Sequence, residues 1–174
     1  AARMGVNVVI AEETNWLGGM LTSAGVSAID GNHRLPAGLW GEFRQQLYKY
    51  YGGPDSVATG WVSHTLFEPH VGNQLLQQLA AAEPKLKVWY NTSWQSVKRE
   101  QGRWTVTVKQ GKQQRTVSAR ILIDATELGD VLAAAGASYR IGIDSRHDTG
   151  EEQAPEKSNN IIQDLTYVAV LKDY

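Results

Sequence analysis

The stretch Val6-Asn7-Val8-Val9-Ile10-Ala11-Glu12 decides the fold. An almost uninterrupted β-branched run of this length is typical of a strand buried in a parallel sheet. Residues 1–4 before it are helix-friendly, and Gly5 suits a left-handed helix cap. A carboxylate at the carboxyl end of such a strand lies at the crevice where open α/β sheets bind ligands, placed to accept ribose hydroxyls. The sequence therefore predicts an α/β protein with Glu12 as the ribose-binding candidate.

Residues 35–90 predict a helical crossover to a second parallel strand. Residues 35–52 carry apolar side chains at helical spacing, with a proline early and Gly52-Gly53 as a stop. A second helix is predicted from Pro69 to just before Pro84. Residues 85–90 then alternate with a period of two, which indicates a strand.

The second half predicts an antiparallel unit and a return to the parallel sheet. Residues 94–118 alternate between two Gly-containing turns, which predicts a β-meander. Residues 121–123, Ile-Leu-Ile, predict another buried strand, and residues 128–135 a short helix closed by Gly136. Residues 144–160 are polar and irregular before the chain becomes apolar again.

Composition excludes several classes. The 174 residues, 42% hydrophobic and 20% charged, suit one folded domain. A net charge of -1 gives nucleic acid or an anionic membrane little reason to bind, and no apolar run approaches the ~20 residues of a membrane span. Without cysteine there is no disulfide or thiolate site. No signal-peptide pattern opens the chain, so the compartment stays open, with the cytoplasm as the preferred expectation.

Two motifs carry chemistry. Gly18-Gly19, six residues after Glu12, lets a backbone approach a pyrophosphate without a Cβ in the way; the alternative is an exposed glutamate and an ordinary turn. The later stretch Asp124-Ala125-Thr126-Glu127-Leu128-Gly129-Asp130 follows the third predicted strand and opens a helix, so that backbone N–H groups could face phosphate. Strand, turn and helix alone are a generic combination.

Together the motifs resemble the FAD-binding domain of the flavoprotein oxidoreductases built like glutathione reductase, in particular the broad group with a late Asp-Ala-Thr and a nearby Gly-Asp. The resemblance implies a Rossmann-like FAD-binding domain over residues 1–143 and the beginning of a substrate-domain or inter-domain segment over residues 144–174. It implies that Glu12 holds the adenosine ribose and that the Trp94 backbone meets the adenine. Gly18, Gly19 and Met20 would lie along the pyrophosphate and flavin side, and Ala125, Thr126 and Gly129 would close over the diphosphate. The implied cofactor-binding residues are Glu12, Gly18, Gly19, Met20, Trp94, Ala125, Thr126 and Gly129.

Two departures from that family pattern matter. The glycine fingerprint G-x-G-x-x-G belongs roughly 20 residues before the ribose carboxylate, which from Glu12 falls before Ala1. We therefore expect a fragment whose sheet lacks its central strand and depends on another chain or the remainder of the protein to fill it. Glu127 stands where many relatives have the third residue of Ala-Thr-Gly.

Other interpretations stay open. An NAD-binding domain would use Glu12 in the same way, and a cofactor-free α/β segment could serve packing or partner binding. The expected enzyme is an FAD-dependent oxidoreductase acting on an unknown small molecule, inactive as an isolated segment and without nameable catalytic residues. His64 and His70 are expected at the surface, and the histidines, His33 and His147 included, show no metal-binding spacing. Asp30, Asn32 and Arg34 could line the flavin side or a solvated loop.

Overall fold

The computed structural model describes residues 1–29, 34–60, 63–165 and 168–169. Helical turns of the 3-10 type occupy Ala2–Met4 and Gly19–Leu21. The other elements, in chain order, are β1 (Val8–Ala11), α1 (Gly38–Tyr51), α2 (Pro69–Ala81), β2 (Leu86–Trp89), β3 (Thr92–Glu100), β4 (Arg103–Gln110), β5 (Gln113–Ala119), α3 (Asp130–Ala134) and α4 (Arg146–Thr149).

Strands β1 and β2 form the parallel sheet that the sequence predicts. They pair in register from Val8 opposite Leu86 to Ala11 opposite Trp89. The backbone ladder continues past the strand ends, because the Glu12 N–H donates to the Trp89 carbonyl at 2.9 Å. Both predicted helices lie in the crossover between the two strands, which is the connection that parallel strands require.

The crossover helices form the main core of the molecule. Pro69 occupies the first turn of α2, and Gly52 ends α1 at a φ of +87°, a left-handed conformation that glycine adopts without a Cβ penalty. Phe43 and Phe67 meet edge to face with ring centroids 5.5 Å apart. The buried cluster around them consists of Phe43, Leu47, Phe67, Val71 and Leu75. This cluster anchors α2, which in turn supports the loop after β1.

The β-meander is confirmed, with β3, β4 and β5 pairing antiparallel in that order. Gln101 and Gly102 both have positive φ, of 50° and 75°, which suits the primed turns that join tightly twisted hairpins. The first strand begins at Thr92, two residues earlier than the alternation indicated. Alternate residues of β3 and β4, among them Val97 and Val108, turn a buried face toward α3.

The predicted third parallel strand, residues 121–123, is wrong for this structure. The described residues offer it no neighbouring strand, and a strand without a partner leaves its N–H and C=O groups unpaired. Ile121 and Ile123 are accordingly 77% and 78% exposed. The expected burial of β1 also fails, since Val9 and Ile10 remain about two-fifths exposed with β2 as their one strand neighbour among the described residues.

The chain is thus an α/β protein whose parallel pair, helical crossover and meander make a partial Rossmann-like domain. The boundary at residue 143 stays a prediction. Beyond it, α4 and an isolated bridge between Ile143 and Asn159 organise a small segment. Within the described ranges, no helix has the length and apolar character needed to cross a membrane.

Candidate functional site

Glu12 lies where the sequence predicts it, directly after the carboxyl end of β1. Its backbone joins three strands: the N–H donates to the carbonyl of Trp89, the last residue of β2, and the carbonyl accepts from the Thr92 N–H at 2.8 Å, where β3 begins. The side chain is half-buried. The carboxylate therefore stands on a rigid base at the meeting point of the parallel sheet and the meander.

The Glu12 carboxylate is held by one oxygen only. Its Oε1 accepts hydrogen bonds from the Thr14 N–H at 2.8 Å and the Thr14 hydroxyl at 2.7 Å. An oxygen with two lone pairs is then fully used. Oε2 makes no hydrogen bond to any described residue, so one carboxylate oxygen is oriented and available to a ligand hydroxyl.

Gly18 and Gly19, the glycine pair, form a tight left-handed turn in which Gly18 has no room for a side chain. Their φ angles are +115° and +50°, and a Cβ built on Gly18 would lie 2.6 Å from Leu76 Cδ1 on α2. The turn is fastened to the same helix, because the Leu17 N–H donates to Asn73 Oδ1 at 2.9 Å. The N–H groups of the glycine pair make no hydrogen bond within the described part of the chain, which leaves backbone donors in a left-handed turn of the kind that cradles anions.

The late motif closes on itself around Asp124. Asp124 Oδ1 accepts from the Thr126 N–H and hydroxyl at 2.8 and 2.7 Å, and Oδ2 accepts from the Leu132 N–H at 2.6 Å. The Thr126 hydroxyl in turn accepts from the Asp130 N–H at 2.9 Å. These side chains cap α3, which explains why it begins at Asp130 rather than at residue 128.

The pKa of Asp124 reflects this capping. Burial by itself would raise that pKa, but the hydrogen bonds from Thr126 and Leu132 outweigh it and hold it below its ordinary value. A carboxylate that stays charged across the neutral range suits a helix N-terminus. The polar side-chain atoms of Asp124 and Thr126 are therefore used by the helix start, and the backbone N–H groups of residues 125 and 127–129 are left without a hydrogen bond to a described residue.

The structure brings the late motif to the glycine pair. A Cβ built on Gly19 would lie 4.0 Å from Glu127 Oε1. The exposed Glu127 carboxylate thus approaches the backbone donors at the glycine pair, 108 positions away in sequence. The late motif thus reaches the glycine pair through the Glu127 side chain, which brings a negative charge close to the free backbone donors there.

Trp94 lies on β3 at an irregularity in the pairing, where the register with β4 shifts between Trp94 and Ser96. Its carbonyl accepts from the Gln95 side-chain amide at 2.8 Å. The Thr92 N–H donates to the Glu12 carbonyl, and Trp94 follows Thr92 by two residues. Glu12 and Trp94 therefore share one end of the sheet.

Met20 follows the glycine pair and is 61% exposed. His64 and His70 are also exposed, and Arg34 lies on the surface. Asp30, Asn32 and His33 lie outside the described residues. In the part of the chain that the structure describes, no group of histidine and carboxylate side chains could hold a metal ion.

Sequence reasoning missed Tyr90. It directly follows Trp89, so it stands beside Glu12 in the continued parallel register, where neighbouring side chains share a face. Burial raises the pKa of the Tyr90 phenol; a hydrogen bond with the Gln77 side chain opposes this, and the charge of Glu12 adds to it. The sequence signal for Tyr90 is its position directly after the second strand. It follows Trp89, the partner of Ala11, just as Glu12 follows Ala11.

Comparison with known proteins identifies the family of the chain. A search of curated proteins found no match to the sequence. The family model described as FAD dependent oxidoreductase matches residues 1–173, a stretch that contains both the Glu12 and the Asp124 motifs. The chain belongs to the family of FAD-dependent oxidoreductases.

Proposed function

We propose that this chain is the part of a flavin-dependent oxidoreductase that binds the adenosine diphosphate half of FAD. The observation that carries the proposal is the Glu12 carboxylate at the end of β1, oriented by Thr14 through one oxygen and open at the other. Bound FAD supplies the redox chemistry, whereas the residues of this chain bind and orient it. The substrate is a small molecule whose identity no residue here indicates.

The residues fit the nucleotide in three places. Glu12 Oε2 accepts a ribose hydroxyl, and the backbone at the Trp94 irregularity meets the adenine edge. The free N–H groups of Gly18 and Gly19 face the diphosphate, with Met20 beside them toward the flavin. On the late motif, the N–H groups of Ala125 and Gly129 would donate to the diphosphate, and Thr126, whose N–H and hydroxyl donate to Asp124, shapes the turn that closes over it. The proximity of Glu127 to Gly19 supports this placement.

Tyr90 adds a second polar group at the ribose. Tyr90 follows β2 as Glu12 follows β1, and the charge of Glu12 acts on its phenol, so its hydroxyl, which bonds to the Gln77 side chain, is the second group that would reach the ribose hydroxyls. Replacing Tyr90 with Phe keeps the ring and removes only this hydroxyl, so we expect the affinity for ADP to fall severalfold, at about 1 kcal/mol for a neutral hydrogen bond. Affinity for FMN, which lacks the adenosine, should not change.

The direct test is a ligand series on the natural protein after removal of any bound flavin. Calorimetric titration with FAD, ADP, FMN and NAD should give the tightest binding for FAD, competition by ADP, and none by FMN. The 174-residue chain alone, which contains no G-x-G-x-x-G sequence, should bind FAD weakly because the strongest phosphate-binding turn of this fold is not among its residues.

Each rival function has its own outcome in that series. NAD binding more tightly than FAD would assign the Glu12 site to a nicotinamide cofactor. No binding of any nucleotide, by a protein that unfolds cooperatively, would leave packing or partner binding as the function of this segment. Tight stoichiometric binding by the 174-residue chain would mean that the diphosphate site is complete within it.

A further inference from the structure

Charge is distributed very unevenly along this chain. Residues 85–120 contain nine lysines and arginines and one acidic residue, Glu100. The rest of the chain therefore holds eight basic residues and seventeen acidic ones, although the total is close to neutral. The basic stretch covers β2 and the whole meander, so the two signs of charge belong to different parts of the fold.

The basic side chains of this stretch are all exposed, and none forms an ion pair with a described residue. The strand registers place Lys98 opposite Thr105, Arg103 opposite Glu100, and Lys109 opposite Ser93. These pairs lie on the same side of the sheet and alternate with Val97 and Val108 on the buried side. We call Lys98, Arg103 and Lys109 the cationic face.

The acidic counterpart lies beyond residue 143. Glu151, Glu152 and Glu156 are exposed and have no ion-pair partner among the residues described. The first two border a surface hollow of about 580 Å³, whose other lining residues include Ile143, Ala154 and Pro155. Carboxylates at the rim of an apolar hollow match a lysine or arginine, whose aliphatic stem packs while its charged end stays at the edge. We call this the acidic hollow.

We propose that the cationic face of one copy of this chain docks on the acidic hollow of a second copy, and that the pair does so reciprocally. The charges are complementary. Glu100 lies opposite Arg103 on the cationic face, but neither patch forms an ion pair with any described residue. The contact is isologous: because each copy carries both patches, a two-fold axis lets face meet hollow twice and closes the assembly as a dimer.

The size of the sheet also favours a reciprocal contact. Three strands spaced about 4.8 Å apart and about eight residues long give a face of roughly 370 Å². That is less than half of the roughly 800 Å² that each partner contributes to a stable interface. When both the face and the hollow of each copy are used, the area per partner roughly doubles. An interface of this modest size is held mainly by charge, so we expect it to depend strongly on salt.

A protein partner fits better than a polyanion. Duplex nucleic acid carries one charge per ~1.7 Å over a length exceeding this face, so it would run onto the acidic remainder of the chain and be repelled there. A second copy instead carries its carboxylates in one small patch, the acidic hollow, which is comparable in size to the cationic face. The inference does not depend on FAD binding.

The test is sedimentation velocity of the natural protein at about 0.01 M and about 0.15 M ionic strength, where the Debye length falls from ~30 Å to ~8 Å. We expect a dimer at low salt whose dissociation constant rises at least tenfold at the higher salt. Lys109→Glu and Glu152→Lys should each weaken the dimer at least tenfold. Lys49→Glu, the same charge change at an exposed position of α1, should leave it unchanged.

Mixing the two variants decides the pairing. In a mixed dimer the reversed face meets the reversed hollow and the unaltered face meets the unaltered hollow, so association should return toward the wild-type level. A monomer at both salt concentrations, or a mixture that stays dissociated, overturns the proposal. A wild-type monomer that binds an oligonucleotide, with that binding lost in Lys109→Glu, would instead assign the cationic face to a polyanion. Circular dichroism confirms that each variant is folded.

Discussion

Replacing Glu12 with alanine should weaken FAD binding by about one to two orders of magnitude. The structure sets this scale, because Oε1 is already used by the Thr14 N–H and hydroxyl. The ribose can therefore take the free Oε2, and the loss is one charge-assisted hydrogen bond of about 1.5 to 3 kcal/mol. At 1.4 kcal/mol per tenfold, this corresponds to roughly 10- to 150-fold in the dissociation constant. The half-buried position of Glu12 favours the lower part of that range.

Three further variants separate the possible causes. Glu12→Gln keeps the shape and the Thr14 contact but removes the charge, so it should lose less than alanine does. Thr14→Val removes the hydroxyl bond to Oε1 but keeps the backbone N–H bond, so it should cost less than tenfold through partly lost orientation. Glu13→Ala removes the neighbouring exposed carboxylate and serves as the matched control, with no expected effect.

The assay is calorimetric titration of flavin-free protein with FAD, repeated with ADP and FMN. The Glu12→Ala loss should be the same for FAD and ADP, because both carry the adenosine ribose, and absent for FMN. Affinity within twofold of wild type for FAD would refute the reasoning and make Glu12 a solvated surface carboxylate. An equal loss for Glu13→Ala would show that only the net charge of the region matters.

Three other residues have definite expected effects. Glu127→Gln removes a negative charge close to the glycine pair and should tighten FAD binding about threefold, measured by the same titration. Gly18→Ala combines a strained φ of +115° with a steric overlap and should lower the free energy of urea unfolding by about 1 to 3 kcal/mol, more than Gly111→Ala, whose Cβ meets open space at a φ of +58°. Asp124→Asn should destabilise the protein at neutral pH. The folded-state pKa of Asp124 lies below its ordinary 3.8. The difference in free energy of urea unfolding between wild type and Asp124→Asn should therefore be largest above pH 3.8 and shrink as the pH falls below it.

Local sequence signals predicted most of the elements. The helix over residues 35–52 was readable from apolar spacing and its glycine stop, and the structure has α1 at Gly38–Tyr51. The meander was readable from period-two alternation between turns, since hairpin pairing is set by residues close in sequence. The parallel pairing of β1 with β2 could be inferred because two helices intervene.

The failures concern interactions that depend on a neighbour distant in sequence. The apolar pattern of residues 121–123 is that of a buried strand, but pattern alone supplies no pairing partner, and Ile121 and Ile123 are exposed here. Asn73 and Tyr90 were missed because each acts through tertiary contacts, whereas Thr14, two residues from Glu12, is a local contact that the residue pattern did not single out. The net charge of -1 likewise gave no sign of the basic meander, because a sum over the whole chain does not show where the positive and negative residues lie.

The two halves of the candidate site, which we propose to bind the adenosine and the diphosphate, differ in what holds them. At the adenosine end, Glu12 and Tyr90 are fixed by the parallel ladder itself, so any sequence that forms β1 and β2 sets their spacing. At the diphosphate end, Asp124 and Thr126 spend their side chains on capping α3, and the ligand is left with backbone N–H groups and a nearby Glu127. Because backbone donors bind anions without regard to side-chain identity, specificity for an adenine nucleotide must come from the adenosine end. Substitutions there should change which nucleotide binds, whereas substitutions at the diphosphate end should change how tightly every diphosphate binds.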